Sequence, residues 1–175
     1  APDPPTFSGG WQLGTPDLVV RAPAYTLPAE GTDVFRIFAI PLPVDGLKFV
    51  RGIEFRPGHT SVIHHATIRI DPTANSRRFD EQDPAPGYDG LIARTAGYPD
   101  GHFLGWTPGQ TPPLLPKGLA WGLGQGTHLL VELHMQPTGK PEPIQASVGI
   151  FFADGPGEKE PQKLLLQVKE IDIPA

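Results

Sequence analysis

An all-β fold, an antiparallel β-sandwich of jelly-roll type in a single domain, is what this sequence predicts, and three observations predict it. Runs rich in Val, Ile and Phe recur with the two-residue alternation of strands. Each run is closed by Gly, Pro, Asp or Asn, the residues of turns. Helical periodicity is nearly absent, because few helix-length windows escape a proline or a glycine, so any helix should be one short turn.

The strands expected, in order, cover 17–21, 33–41, 47–56, 60–70, 127–136, 145–153 and 163–173. Between them, 71–126 is long, dense in Pro and Gly, and aromatic in patches. A connection of that length inside one domain is functional or carries short strands of its own, expected near 102–106 and 117–122. Leu115-Pro116-Lys117-Gly118 reads as a tight turn feeding the second of these, with Gly118 free to take a positive φ. Residues 1–10 read as a linker ahead of a domain spanning 11–175, and 1–16 and 154–162 as exposed linker or loop.

Composition narrows the function. The chain has 175 residues with 21 Gly and 23 Pro, a level that suggests disorder, but 38% hydrophobic residues and a net charge of only −5 favour a turn-rich sandwich. Mild acidity leaves no basic footprint for nucleic acid or anionic lipid. No apolar run is long enough for a membrane helix. The absence of cysteine removes thiol nucleophiles, zinc knuckles, iron–sulfur clusters and thiolate-ligated copper. No Gly-x-Ser-x-Gly supports a hydrolytic nucleophile.

Six histidines remain, at 59, 64, 65, 102, 128 and 134. His128 and His134 share a strand face but, at roughly 3.3 Å per residue, lie about 20 Å apart and cannot bind one ion. Leu129, Val131 and Leu133 form an apolar stripe, which turns His128, Leu130, Glu132 and His134 toward solvent or a cleft. His64 and His65 are adjacent. A regular strand puts them on opposite faces, one in the core and one at the surface, whereas a bulge or sharp twist brings both round one ion. The pair plus one distant histidine is a three-nitrogen set suited to copper or zinc. His59 reads as a solvated turn residue, His102 as surface-exposed in the long loop, and His128 as facing water. Met135 reads as core packing, and Trp106 and Trp121 as core or cleft-wall aromatics. Glu132 reads as a solvated carboxylate, or alternatively as an acceptor for the free N–H of His134.

Three segments together resemble a known family. Ala39-Ile40-Pro41-Leu42-Pro43-Val44-Asp45-Gly46, leading through Phe55-Arg56-Pro57-Gly58 to Val62-Ile63-His64-His65, is similar to the opening strands and paired-histidine motif of the copper type II, ascorbate-dependent monooxygenases. That family is typified by peptidylglycine α-hydroxylating monooxygenase and dopamine β-monooxygenase. Leu114-Leu115-Pro116-Lys117-Gly118, followed by Thr127-His128-Leu129-Leu130-Val131-Glu132-Leu133-His134-Met135, resembles the strand that delivers its third histidine. The likeness runs from about residue 11 to 153 and is to the first of the family's two β-sandwich domains. The stretch Gly10–Asp17 further resembles bacterial relatives in which this module follows a cytochrome c-like region.

The resemblance implies that His64, His65 and His134 are copper ligands and that the copper takes electrons from a reductant such as ascorbate. The family's second copper, held by a His-x-His pair and a methionine, performs hydroxylation. No His-x-His occurs here and Met135 is in the wrong place, so the domain alone is expected to cycle copper without hydroxylating. A second copper domain and, from the bacterial likeness, a cytochrome c-like domain upstream are the implied partners, in an extracytoplasmic setting, periplasmic or secreted. A copper or zinc carrier, a metal-stabilised binding module and a purely structural sandwich are the competing readings.

Overall fold

The computed structural model describes residues 10–73, 75–161, 164 and 168. In chain order the elements are β1 (Leu18–Arg21), β2 (Tyr25–Leu27), β3 (Val34–Pro41), β4 (Lys48–Arg56), β5 (Ile63–Asp71), α1 (Asn75–Gln82), β6 (Gly105–Trp106), β7 (Trp121–Leu123), β8 (His128–Met135), β9 (Glu142–Ile144) and β10 (Ser147–Ala153). One sheet runs β1-β10-β4-β7 and the other β3-β8-β5-β6, with β2 and β9 as a separate ribbon; every pairing is antiparallel. This is the all-β antiparallel sandwich that the alternating runs predict.

A single core joins the two four-stranded sheets. Leu129, Val131, Leu133 and Met135 of β8 and Phe38 and Ile40 of β3 meet Val50 and Ile53 of β4 and Val148 and Ile150 of β10. Leu129, Val131 and Leu133 are fully buried, each stabilising the fold by roughly 1.5–3 kcal/mol. Met135 is core, as its parity predicts. Trp121 is core too, and Trp106 packs against the core beside Phe55.

The outer face of β8 departs from the expectation. Leu130 and His128 are buried rather than solvent-facing. At Leu130 the cause is the segment after β5, which folds as α1 and then crosses the outer face. Tyr88 exchanges backbone hydrogen bonds with Ile37 at the free edge of β3, and Gly97 does the same with Ile70 on β5. Ile37, Tyr88, Ala96 and Leu130 form a second small core beneath this strap. Burial pushes the Tyr88 phenol up to about 12.

Arg36 ties the strap down. Its guanidinium donates to Asp83 at 2.8 Å and to the carbonyls of Ala85, Pro86 and Gly87, and its hydrogen bond to Asp83 holds that carboxyl below the usual range. At Gly87, φ is +74° and a Cβ would lie 2.7 Å from the Ile37 carbonyl, so only glycine fits.

The eight-residue α1 is longer than the single turn expected. The proline-free stretch from Asn75 to Gln82 permits it, and Asp71 and Thr73 cap its first backbone N–H groups. The short strands β6 and β7 fall where expected, and Gly118 takes φ +85° in a turn closed by Leu119 N–H to the Pro116 carbonyl. The two strands of the β2–β9 ribbon carry too little alternation to be read from sequence. Of the strand expected over 163–173 only residues 164 and 168 are described, neither of them in a strand, and the rest lies outside the described residues.

The ends are less loose than linkers. The Arg56 guanidinium sits 4.0 Å above the Trp11 ring, and Leu13 N–H donates to the buried Glu54. Gly149 leaves room for Trp11 on the outer face of its sheet, where a Cβ would meet the indole at 3.0 Å. Lys159 N–H donates to the Gly118 carbonyl.

Candidate metal centre

Strand β8 is central in its sheet, and His134 near its end has a neighbour on either side. Phe35 of β3 and His65 of β5 are its register partners, so all three side chains stand on the outer face. Phe35 stacks flat on His134, with ring centroids 4.2 Å apart and planes 8° from parallel. His65 meets His134 edge-on at 4.8 Å, and His64 does so at 4.9 Å.

The adjacent histidines share a face because β5 is bulged there. Ile63 pairs with Met135 and His65 with His134, which leaves His64 as an extra residue. Ile63 and Ala66 are both core residues, three positions apart. Regular alternation cannot point both inward, so the bulge absorbs the mismatch and turns His64 and His65 outward together. Of the two arrangements the sequence leaves open, this is the one adopted.

The ring nitrogens divide by partner. His134 Nε2 lies 2.8 Å from Asp33 Oδ2, and its Nδ1 lies 3.3 Å from His65 Nδ1. His64 Nε2 lies 3.1 Å from Gln136 Oε1. Carboxylate and amide oxygens accept, so the Nε2 positions of His134 and His64 carry protons when so bonded, and their Nδ1 atoms carry lone pairs, that of His134 facing His65. Two nitrogens bound about 2.0–2.1 Å from a tetrahedral ion are about 3.3–3.4 Å apart, and the His65–His134 separation matches. One ligand atom each of Asp33, His64 and His134 also lies within 4.8 Å of the others. That group is two imidazoles and one carboxylate and does not include His65, which adjoins it through its contact to His134; nitrogen and oxygen donors of this kind suit a zinc or copper ion.

Asp33, Phe35 and Gln136 escape sequence reasoning. Asp33, not Glu132, is the acceptor at His134, because both ring nitrogens of His134 are taken by other groups. No short-range pattern signals this. It depends on the register of β3 against β8, which places Phe35 opposite His134 and Asp33 two residues further along.

The other histidines lie elsewhere, and all three depart from their sequence reading. His102 is buried, not surface-exposed: its Nδ1 accepts from Trp121 Nε1 at 2.9 Å, and burial lowers its pKa against the opposing pull of the Pro113 carbonyl. His128 is buried at the start of β8, not facing water. His59 is half-buried rather than freely solvated, bonded to Glu142 at 3.2 Å and to Ser61 at 3.1 Å. Surface cavities of about 520 and 560 Å³ flank α1 and share Phe79, Gln82 and Leu91. The histidine cluster is not among their lining residues.

No family model matches the chain, and no curated protein matches it. Among the described residues, no helix is long and apolar enough to cross a membrane.

Proposed function

We propose that this chain is a mononuclear copper-binding redox domain, with His64, His65 and His134 as the ligands. The observation that carries the reading is the convergence of three imidazoles from β5 and β8, two with Nδ1 atoms 3.3 Å apart. Copper held there would supply one-electron cycling between Cu(II) and Cu(I), for which neutral imidazoles suit both states. The chain's own part is to hold the rings. The bulge presents His64 and His65, Phe35 fixes the plane of His134, and Asp33 and Gln136 occupy the outward nitrogens. His134 is 15% exposed, which keeps the centre within reach of a reductant such as ascorbate or of a docked partner.

In this reading the domain is the electron-transfer half of a two-copper, ascorbate-dependent monooxygenase. Hydroxylation falls to a second copper domain, a cytochrome c-like domain is the partner proposed upstream in the same parent, and the setting is extracytoplasmic. Supporting it are the order and spacing of the Val62–His65 and Thr127–Met135 motifs and the absence of a His-x-His pair.

The test is titration with Cu(II) followed by paramagnetic resonance and ascorbate reduction. One copper per chain, a type 2 spectrum and loss of signal with ascorbate are expected. An unchanged affinity and spectrum in His134→Ala would overturn the ligand assignment. A copper or zinc carrier is the second reading, favoured by the nearness of Asp33, since a carboxylate with imidazoles also suits zinc. Tight binding without reduction by ascorbate would select it.

A further inference from the structure

We infer that Asp33 is a positioning residue for this centre: its carboxylate fixes the proton of His134 on Nε2 and so leaves the bare Nδ1 facing His65. The metal-binding half of this inference rests on the three-histidine reading, while the ring-state half stands without it.

The contact is geometrically specific. Asp33 Oδ2 is 2.8 Å from His134 Nε2, a distance for a charge-assisted hydrogen bond. Asp33 and Phe35 are two residues apart, where the two-residue repeat of an extended strand sends side chains to one face. One takes the outer nitrogen of His134 and the other takes its ring face. With Phe35 stacked and Asp33 bonded, both the plane and the in-plane orientation of the imidazole are set.

The inner nitrogen then has one role. If Nε2 of His134 carries the proton, its Nδ1 is an acceptor, and the 3.3 Å contact to His65 Nδ1 requires His65 to donate in the metal-free protein. Metal uptake then moves the His65 proton from Nδ1 to Nε2, while His134 keeps its proton where Asp33 holds it. His134 is thus the ring already set for ligation and His65 the one that must switch.

Asp33 is 43% exposed, so this bond adds little to global stability. A purely structural role would therefore leave almost nothing to observe, which makes the ring itself the readout. Long-range nitrogen-15 correlation spectra of the metal-free protein, taken well above the ordinary imidazole pKa, should show His134 protonated at Nε2 with a slowly exchanging proton. Asp33→Ala should mix the two tautomers and speed that exchange, and Asp33→Glu should partly restore the native state. Cu(II) and Zn(II) affinities should fall about 10–100-fold in Asp33→Ala and recover in part with Glu. Pulsed paramagnetic spectra should count three imidazoles on Cu(II) in both the native and the Ala chain.

Unchanged tautomer and exchange in Asp33→Ala would overturn the inference. So would a native spectrum with two imidazoles and a carboxylate, which makes Asp33 a ligand. If the native chain binds neither ion, the proposed function fails while the tautomer comparison still decides the role of Asp33.

Discussion

Replacing Asp71 by Asn isolates what one buried carboxylate contributes to this fold. Asp71 is fully buried at the end of β5. It accepts from Thr73 N–H at 2.9 Å, the Thr73 hydroxyl at 2.7 Å, Ser76 N–H at 3.0 Å and the Ser76 hydroxyl. Burial by itself would raise its pKa. The Ser76 and Thr73 donors outweigh burial and bring the carboxyl from 3.8 to about 2. At roughly 1.4 kcal/mol per pH unit, that difference corresponds to about 2.4 kcal/mol. The folded pKa is depressed, so this stabilisation is complete above about pH 4 and is lost as pH falls through about 2. Denaturant unfolding of both chains should show the Asn variant less stable by about 2–3 kcal/mol near neutral pH, because an amide nitrogen faces donors it cannot satisfy. The gap should close between about pH 4 and pH 2, with other carboxylates cancelling in the difference. Curves that stay parallel through that window would refute the reasoning.

His134→Ala should weaken Cu(II) binding by more than about 100-fold, checked by competition titration, since loss of a ligand exceeds the 10–100-fold typical of outer partners. Phe35→Ala should lower metal affinity several-fold and broaden the copper spectrum while leaving unfolding nearly unchanged, because Phe35 is 46% exposed and its ring stacks on His134. His102→Phe should leave the Trp121 indole N–H unpaired, costing about 1–3 kcal/mol in denaturant unfolding. It should also remove a pH dependence: His102 is held below its ordinary 6.5, so its contribution is intact above about pH 6.5 and declines as pH falls below it. Gly87→Ala should cost at least about 1–2 kcal/mol from the left-handed backbone alone, and hydrogen exchange should rise first at Tyr88 and Ile37, where the strap is pinned.

Much of the fold is legible because burial in a sandwich imposes a two-residue period. Leu129, Val131, Leu133 and Met135 announce their inward face directly. The same rule fails at Leu130, because the opposite face of β8 is covered by a segment some 40 residues earlier in the chain, and nothing local to β8 reports that cover. The helix is missed for a related reason: what holds it against the sheet is distant in sequence, Ala39 N–H donating to Asp80 and Phe79 packing on Tyr88, while its own composition is almost wholly polar. His102 reads as a loop residue because its partner, Trp121, is 19 positions away.

At the candidate site, the sequence determined which residue types are available: three histidines on two strands, no thiol, and a paired motif whose apolar neighbours Ile63 and Ala66 are out of step by one. Tertiary structure decided the rest. The bulge turned both histidines outward, the register of β3 brought Asp33 and Phe35 onto His134, and the strap left that end of the sheet open. Composition and period are local properties that each strand carries alone, whereas register and cover are set only when several strands compete to bury their apolar faces at once.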